Sequence, residues 1–251
     1  MSSQLGPSGF VAPRLIGHRG AAALAPENTL VSIRAAAESG VSWIEIDAKL
    51  ARDDVPVLIH DSTLDRTTTS LGPVVAKTSA ELGRLDAGSK FDPRFAGEPI
   101  PTLQQCLDEC RRLGLGLDLE IKPDKGTEAA TAAGVLTVLG NAGWTADDPI
   151  LITSFAIPSL RVIRDYAPAF HRGLLISKFP SGWQDAARHL GAVSVISDHK
   201  SLKTRADVAR IIDGGWIAMT YTVNDRDRAA ELYGWGIEGI VTDNPPALLG
   251  L

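Results

Sequence analysis

The sequence predicts one α/β domain spanning residues 1–251, a TIM (β/α)8 barrel, and three observations predict it. Strand-like apolar runs alternate with amphipathic helices without interruption from Thr102 to the C-terminus. The run Val55–His60 follows Asp47 too closely to leave room for a packed helix. It therefore reads as the return arm of a hairpin, and eight parallel strands remain from nine candidates. The length of 251 residues also suits such a barrel, which uses roughly 250. A doubly wound open sheet would place a Gly-rich dinucleotide loop after its first strand, and none follows here.

In chain order, residues 1–13 read as a loose lead-in without the basic and apolar regions of a secretory signal. Arg14–His18 is the first strand, and Pro26-Glu27-Asn28-Thr29 opens a helix with Asn28 or Thr29 as N-cap. Gly40 stops that helix before the strand Trp43–Ala48. The segment 61–101 is dominated by turn chemistry, with one short helix expected near Ser79–Leu85, and reads as a small irregular insertion. Regular alternation then resumes. Strands are expected at Leu115–Lys122, Ile150–Ser154, Arg172–Ile176, Val193–Ser197, Trp216–Val223 and Gly239–Thr242. The helices Thr102–Leu113, Glu128–Ala142, Ile157–Tyr166, Gln184–Leu190, Arg205–Asp213 and Arg226–Trp235 lead into them.

The composition excludes several classes. With 44% hydrophobic and 22% charged residues and a net charge of -5, the chain has no broad basic face for nucleic acid or an anionic membrane. No apolar run approaches the ~20 residues of a bilayer span, so cytoplasmic residence without stable membrane association is expected. Cys106 and Cys110 sit four apart on a helix, a spacing that suits neither a disulfide nor a complete metal site, and read as reduced and partly buried. The sequence carries no nucleophile elbow, zincin or P-loop motif.

Charge is concentrated at strand ends, where a barrel builds its active site. The first strand delivers His18 and Arg19, the second Glu45 and Asp47, the hairpin His60, and the next strand Asp118, Glu120 and Lys122. Strand alternation turns Glu45, Asp47 and Glu120 inward on one side. Three carboxylates facing one cavity repel one another unless neutralised. They are the ligand set of a hard divalent cation, Mg²⁺ or Ca²⁺, rather than zinc. His18 and His60 suit general acid–base work, and Arg19 and Lys122 supply fixed positive charge for a phosphoryl oxygen. The expected chemistry is P–O cleavage in a phosphate ester. His171, His189 and His199 are assigned to loops or surface.

The motifs HRG, PENT, E-x-D, HD, E-x-K, TVN and TDNP, in this order from about Arg14 to the C-terminus, resemble the glycerophosphodiester phosphodiesterases of cytoplasmic bacterial type. These belong to the phosphatidylinositol-phospholipase-C-like barrel superfamily. The resemblance implies Glu45, Asp47 and Glu120 as ligands of one divalent cation, and His18 and His60 as the acid–base pair. Arg19 and Lys122 would hold the phosphate, and residues 61–101 would form a small cap over the glycerol end. Tyr221 stands where many relatives carry Trp and implies an aromatic wall against substrate. Asn224 would brace its loop. Asp53-Asp54 replaces the usual Asp-Gly of the hairpin turn, which bears only on turn geometry. The implied reaction converts a glycerophosphodiester, such as glycerophosphocholine or glycerophosphoethanolamine, to sn-glycerol 3-phosphate and an alcohol. A lysophospholipase-D-like enzyme for acylated substrates is the alternative, and would need an apolar cleft beside Tyr221. The expected partner is a small-molecule substrate, with a homodimer left open.

Overall fold

The computed structural model describes residues 9–251. Its strands are β1 (Leu15–Gly17), β2 (Trp43–Leu50), β3 (Pro56–Leu58), β4 (Gly116–Ile121), β5 (Ile150–Ser154), β6 (His171–Ile176), β7 (Ser194–Asp198), β8 (Ile217–Tyr221) and β9 (Gly239–Thr242). All except β3 pair in parallel, and β1 joins both β9, at Ile16↔Val241, and β2, at Gly17↔Ile44. The sheet closes into an eight-stranded TIM barrel. β3 runs antiparallel to the far end of β2, with Ala48 opposite Leu58, which is the anticipated hairpin. Its turn places Asp54 in the left-handed region at φ 58°. Asp53 accepts 2.9 Å hydrogen bonds from the Ser79 N–H and hydroxyl, so side-chain bonds hold the turn that glycine usually makes.

The helices are α1 (Leu30–Glu38), α2 (Ser79–Leu82), α3 (Leu103–Leu113), α4 (Glu128–Asn141), α5 (Ile157–Tyr166), α6 (Trp183–Leu190), α7 (Arg205–Ile212), α8 (Arg226–Trp235) and α9 (Pro245–Leu248). Helix α3 shows how the sequence sets one of them. Thr102 and Gln105 form a reciprocal capping box at its start, and Gly114 at φ 68° ends it. Leu103, Cys106, Leu107 and Cys110 fall on one face and are fully buried against Ile44, Ile46, Leu117 and Leu119 of the strands. Truncating Leu107 to Ala there would cost about 2–5 kcal/mol. The two cysteines are therefore more buried than their sequence suggests, because this face meets the outer surface of the barrel. Both are free thiols, with sulfurs 3.9 Å apart.

Inside the barrel, Ile16, Leu151, Leu175, Ile196, Ile217, Met219 and Val241 make a separate apolar core. Phe10 belongs to it, packed against Trp43 and His171 at the starts of their strands, so it plugs the barrel floor. Residues 1–8 of the expected lead-in lie outside the described residues. His171 opens β6 rather than lying in a loop, whereas His189 is exposed on the surface of α6, as expected. Along β2 the outward residues Ile44, Ile46 and Ala48 alternate with Glu45, Asp47 and Lys49, and all six are buried. That alternation is what brings charge into the mouth.

Residues 61–101 carry little regular structure: α2 and two short 3-10 turns, Val74–Ala76 and Pro93–Phe95. Leu64, Val74, Leu82, Ala87 and Ile100 pack with Val57 and Ile59 into a small core of their own. The insertion is thereby anchored on the hairpin that delivers His60. The short α9 has no counterpart among the expected elements. Its Pro-Pro-Ala-Leu sequence carries a single turn and no periodicity to read.

Candidate active site

The strands' C-terminal ends surround a cavity of ≈ 180 Å³ lined by His18, Arg19, Glu45, His60, Glu120, Lys122 and Tyr221. Parallel register sets Asp47 beside Glu120 and Glu45 beside Asp118. Glu45, Asp47 and Glu120 each offer an oxygen within 4.8 Å of the others, and all three are buried.

Their electrostatics leave room for a cation. Burial pushes the Glu45 carboxyl well above the usual range, reinforced by the negative charges of Asp47 and Glu120. Burial, with Asp47 alongside, raises Glu120 to about 8. Burial also opposes ionisation of Asp47, but Arg19, Lys122 and His60 outweigh it and hold its carboxyl far below the usual range. Glu45 Oε1 is buried without any hydrogen-bond partner. A buried acceptor with no donor, beside two further carboxylates, fits a hard divalent ion.

The loop after β1 is built around this cluster. Arg19 sits at φ 51°, a strained conformation for a residue with a side chain, and its N–H donates to Glu45 Oε2 at 3.0 Å. Gly20, at φ 87°, has no room for a side chain: a Cβ there would lie 2.5 Å from Ser32 Oγ. Asn28 is not the helix cap, which is Thr29. Buried at φ 58°, Asn28 clamps Asp47 from both sides. Its amide donates to Asp47 Oδ2 at 2.8 Å, and its carbonyl accepts from the Asp47 N–H at 3.0 Å.

Two cations reach the carboxylates. Lys122 Nζ lies 2.9 Å from Glu120 Oε1 and 3.4 Å from Asp47 Oδ1. Arg19 Nε is 3.1 Å from Asp47 Oδ2 but misaligned for a hydrogen bond, so this buried N–H stays unpaired. Arg19 Nη1 donates to Glu27 Oε1 at 2.7 Å.

Each mouth histidine is held by a carboxylate. His18 Nδ1 is 2.6 Å from Asp243 Oδ1, and His60 Nδ1 is 2.7 Å from Asp61 Oδ1. His18 Nε2 stands 3.8 Å from Glu45 Oε2. Asn224 donates to the other oxygen of Asp243 at 2.6 Å and accepts from the Thr242 hydroxyl, so it braces the loop. Arg66 donates to both Asp61 and Glu27, and is the main cause of the Asp61 pKa falling to about 2. Burial lowers the His60 pKa, with Arg19 and Lys122 acting in the same direction against the pull of Asp47 and Asp61. Tyr221 contributes its ring, packed edge-on to Phe155, while its hydroxyl donates to the Ile176 carbonyl at 3.2 Å.

All the residues singled out from the sequence thus line or adjoin one mouth. The sequence reading left Asn28, Asp61, Asp243, Arg66 and Lys49 without catalytic or supporting roles. Asp61 and Asp243 follow a strand or hairpin end, the same positional signal that marked His18 and Glu45. Lys49 continues the period-two spacing of Glu45 and Asp47 but lies past the expected strand end at Ala48, and Arg66 left no comparable signal.

A closed barrel with two Asp–His pairs, two cations and three carboxylates at its C-terminal mouth has the groups a phosphodiester-cleaving hydrolase needs. Residues 18–247 match the glycerophosphoryl diester phosphodiesterase family, and the chain belongs to that family. It is 31% identical to a glycerophosphodiester phosphodiesterase of Caldanaerobacter subterraneus, over 94% of this chain and 96% of the other. It is 30% identical to a glycerophosphodiester phosphodiesterase of Bacillus subtilis, covering 92% and 83% of the two chains. Among solved structures it resembles an Oleispira antarctica phosphodiesterase in complex with the product sn-glycerol-3-phosphate. The two share 35% identity at a TM-score of 0.90, over 94% and 95% of their lengths. The enzyme is accordingly a glycerophosphodiester phosphodiesterase. Among the described residues no helix is long and apolar enough to cross a membrane.

Proposed function

We propose that the enzyme hydrolyses small glycerophosphodiesters, glycerophosphocholine and glycerophosphoethanolamine among them, to sn-glycerol 3-phosphate and an alcohol in the cytoplasm. One observation carries the reading: two histidines, each fixed through Nδ1 by its own aspartate, face the cavity that holds the carboxylate cluster. The product bound by the Oleispira relative fits it.

In this reading Glu45, Asp47 and Glu120 hold one divalent cation, Mg²⁺ or Ca²⁺. When bound, that ion would offset the three carboxylates and polarise a phosphoryl oxygen. Arg19, with its unpaired buried N–H, and Lys122 grip the non-bridging oxygens. Tyr221 and Phe155 form the wall against the departing alcohol. Residues 61–101 cap the glycerol end of a single domain.

The lowered pKa of His60 keeps its imidazole neutral at neutral pH, so His60 is suited to take a proton. His60 removes the proton of the glycerol 2-hydroxyl, whose oxygen bonds to phosphorus. The P–O bond to the alcohol breaks, and His18 protonates the departing oxygen. Water then opens the cyclic phosphate with the two roles exchanged. Direct attack by water would use the same residues, with His60 taking the proton from water.

The test is turnover of glycerophosphocholine with and without chelator. Excess chelator should abolish it and added Mg²⁺ or Ca²⁺ restore it; undiminished activity under chelation would remove the cation from the mechanism. His18→Ala and His60→Ala should each lower kcat by about 10²–10⁴-fold. Relatives matching most of the chain carry glycerophosphodiester names, which leaves acylated substrates the weaker reading. Faster turnover of lysophosphatidylcholine than of glycerophosphocholine would reverse that order.

A further inference from the structure

Lys49 extends the inward row of β2, two residues beyond Asp47, and no step described above uses it. Its side chain is 2% exposed. A buried ammonium persists only where its hydrogen bonds are met, so its partners show what it holds. Nζ donates to the backbone carbonyl of Lys122 at 3.0 Å and to Asp124 Oδ1 at 2.9 Å. That same Asp124 oxygen accepts from the Ser62 hydroxyl, two residues past His60.

The position of Lys122 explains why this matters. Strand β4 ends at Ile121, so Lys122 is the first residue beyond the ladder. Its N–H still donates to the Ala48 carbonyl at 2.9 Å. Its carbonyl, which would otherwise lack a strand partner, is taken by Lys49. The backbone that aims the Lys122 ammonium at Glu120 and Asp47 is thus fixed on both sides by β2, once through main chain and once through a side chain. The Asp124–Ser62 link ties the same point to the turn that carries His60.

We propose that Lys49 is a positioning residue. It locks the exit of β4 so that Lys122 meets the phosphate in one orientation, and through Asp124 and Ser62 it braces the His60 turn against that exit. The proposal rests on Lys122 as a phosphate-holding group. A misplacement of about 1 Å in such a group can cost on the order of 10²-fold in rate.

The experiment is a double-mutant cycle on the full chain with glycerophosphocholine and Mg²⁺, comparing wild type, K49M, K122M and K49M/K122M. Thermal melting confirms folding of each. K49M should lower kcat/KM by about 10–100-fold, and K49M/K122M should be little worse than K122M alone, because the two act through one element. A merely structural lysine would give losses that multiply. Multiplying losses, or K49M at the wild-type kcat/KM, would overturn the proposal. A fully active K122M would instead refute the phosphate-holding role, and the proposal would fall with it. Should K49M not fold, D124N removes the charge at a half-buried position. The pair D124N and D124N/K122M then decides by the same criterion, with an expected single loss of about 3–10-fold.

Discussion

His18 Nδ1 donates to Asp243 Oδ1 at 2.6 Å, across 225 residues of sequence, because β1 and β9 are neighbours in the closed barrel. The second Asp243 oxygen accepts from Asn224. Burial works against ionisation of Asp243, but the His18 hydrogen bond and charge overcome it and hold its pKa below the usual range. An ionised carboxylate only accepts, so Nδ1 keeps a proton and Nε2 is left toward the cavity as the atom that gives or takes the proton in transfer. Asp61 does the same for His60 at 2.7 Å.

Replacing Asp243 with Asn tests the tautomer directly. An amide can donate to Nδ1, which would displace the proton there and remove the negative charge that supports the imidazolium His18 must form in proton transfer. We expect D243N to melt near wild type and lose about 10²–10⁴-fold in kcat, the range for a general acid or base. Steady-state kinetics on glycerophosphocholine measures it. A kcat within about threefold of wild type would show that the pair is structural.

Arg66 is the corresponding support for His60, one residue further out. It joins Asp61 to Glu27, and Glu27 in turn holds Arg19. The Arg66 side chain is 47% exposed, so its ion pairs add little to stability, about 0–1 kcal/mol. R66A should therefore shift Tm by less than about 4 °C. Its kcat should nevertheless fall by about 10-fold or more, through loss of order at Asp61 and Arg19. A large fall in Tm with kcat unchanged would reverse that assignment.

The barrel was legible because periodicity is local. Each expected strand and helix from Thr102 to Thr242 lies within two residues of its observed bounds. The carboxylate cluster was legible for the same reason: i,i+2 spacing on β2 and β4 suffices to turn Glu45, Asp47 and Glu120 to one side. What escaped depends on closure. Asp243 reaches His18 only because the last strand returns to the first, and Asn28 reaches Asp47 only because the loop after β1 takes left-handed conformations at Arg19 and at Asn28 itself. Lys49 fell just past the expected strand end at Ala48, and its role lies in the carbonyl of Lys122, just beyond the neighbouring strand β4. Hydrogen bonds between distant segments leave no periodic trace.

The glycerol 2-hydroxyl offers a separate test of the route. A substrate analogue lacking it cannot form a cyclic phosphate, yet still presents the phosphodiester to His18, His60, Arg19 and Lys122. If the hydroxyl is the nucleophile, the analogue should bind as an inhibitor and show no measurable turnover. Hydrolysis at a rate comparable to glycerophosphocholine would assign the attack to water.

The buried carboxyls make stability depend on pH with a sign opposite to that of ordinary salt-bridged acids. In the folded, cation-free protein Glu120 titrates at about 8 and Asp118 at about 7, in both cases chiefly through burial. Unfolded, both titrate near about 4. Between these values the folded chain binds protons that the unfolded chain has released. Stability is therefore greatest at the acid end of this window and is lost as pH rises toward 8, at about 1.4 kcal/mol per pH unit for each such proton. Burial lowers the His60, His171 and His199 pKa values, which opposes this trend below about pH 6.5. Thermal melts in chelator should therefore show Tm declining from about pH 6.5 to pH 8. Saturating Mg²⁺ or Ca²⁺ should flatten the decline, because a bound cation favours the ionised carboxylates and stabilises only the folded state. E120Q should reduce the slope in chelator and weaken the response to cation together. A Tm that rises with pH in chelator, or a slope untouched by E120Q, would place the charge of Glu120 outside this balance.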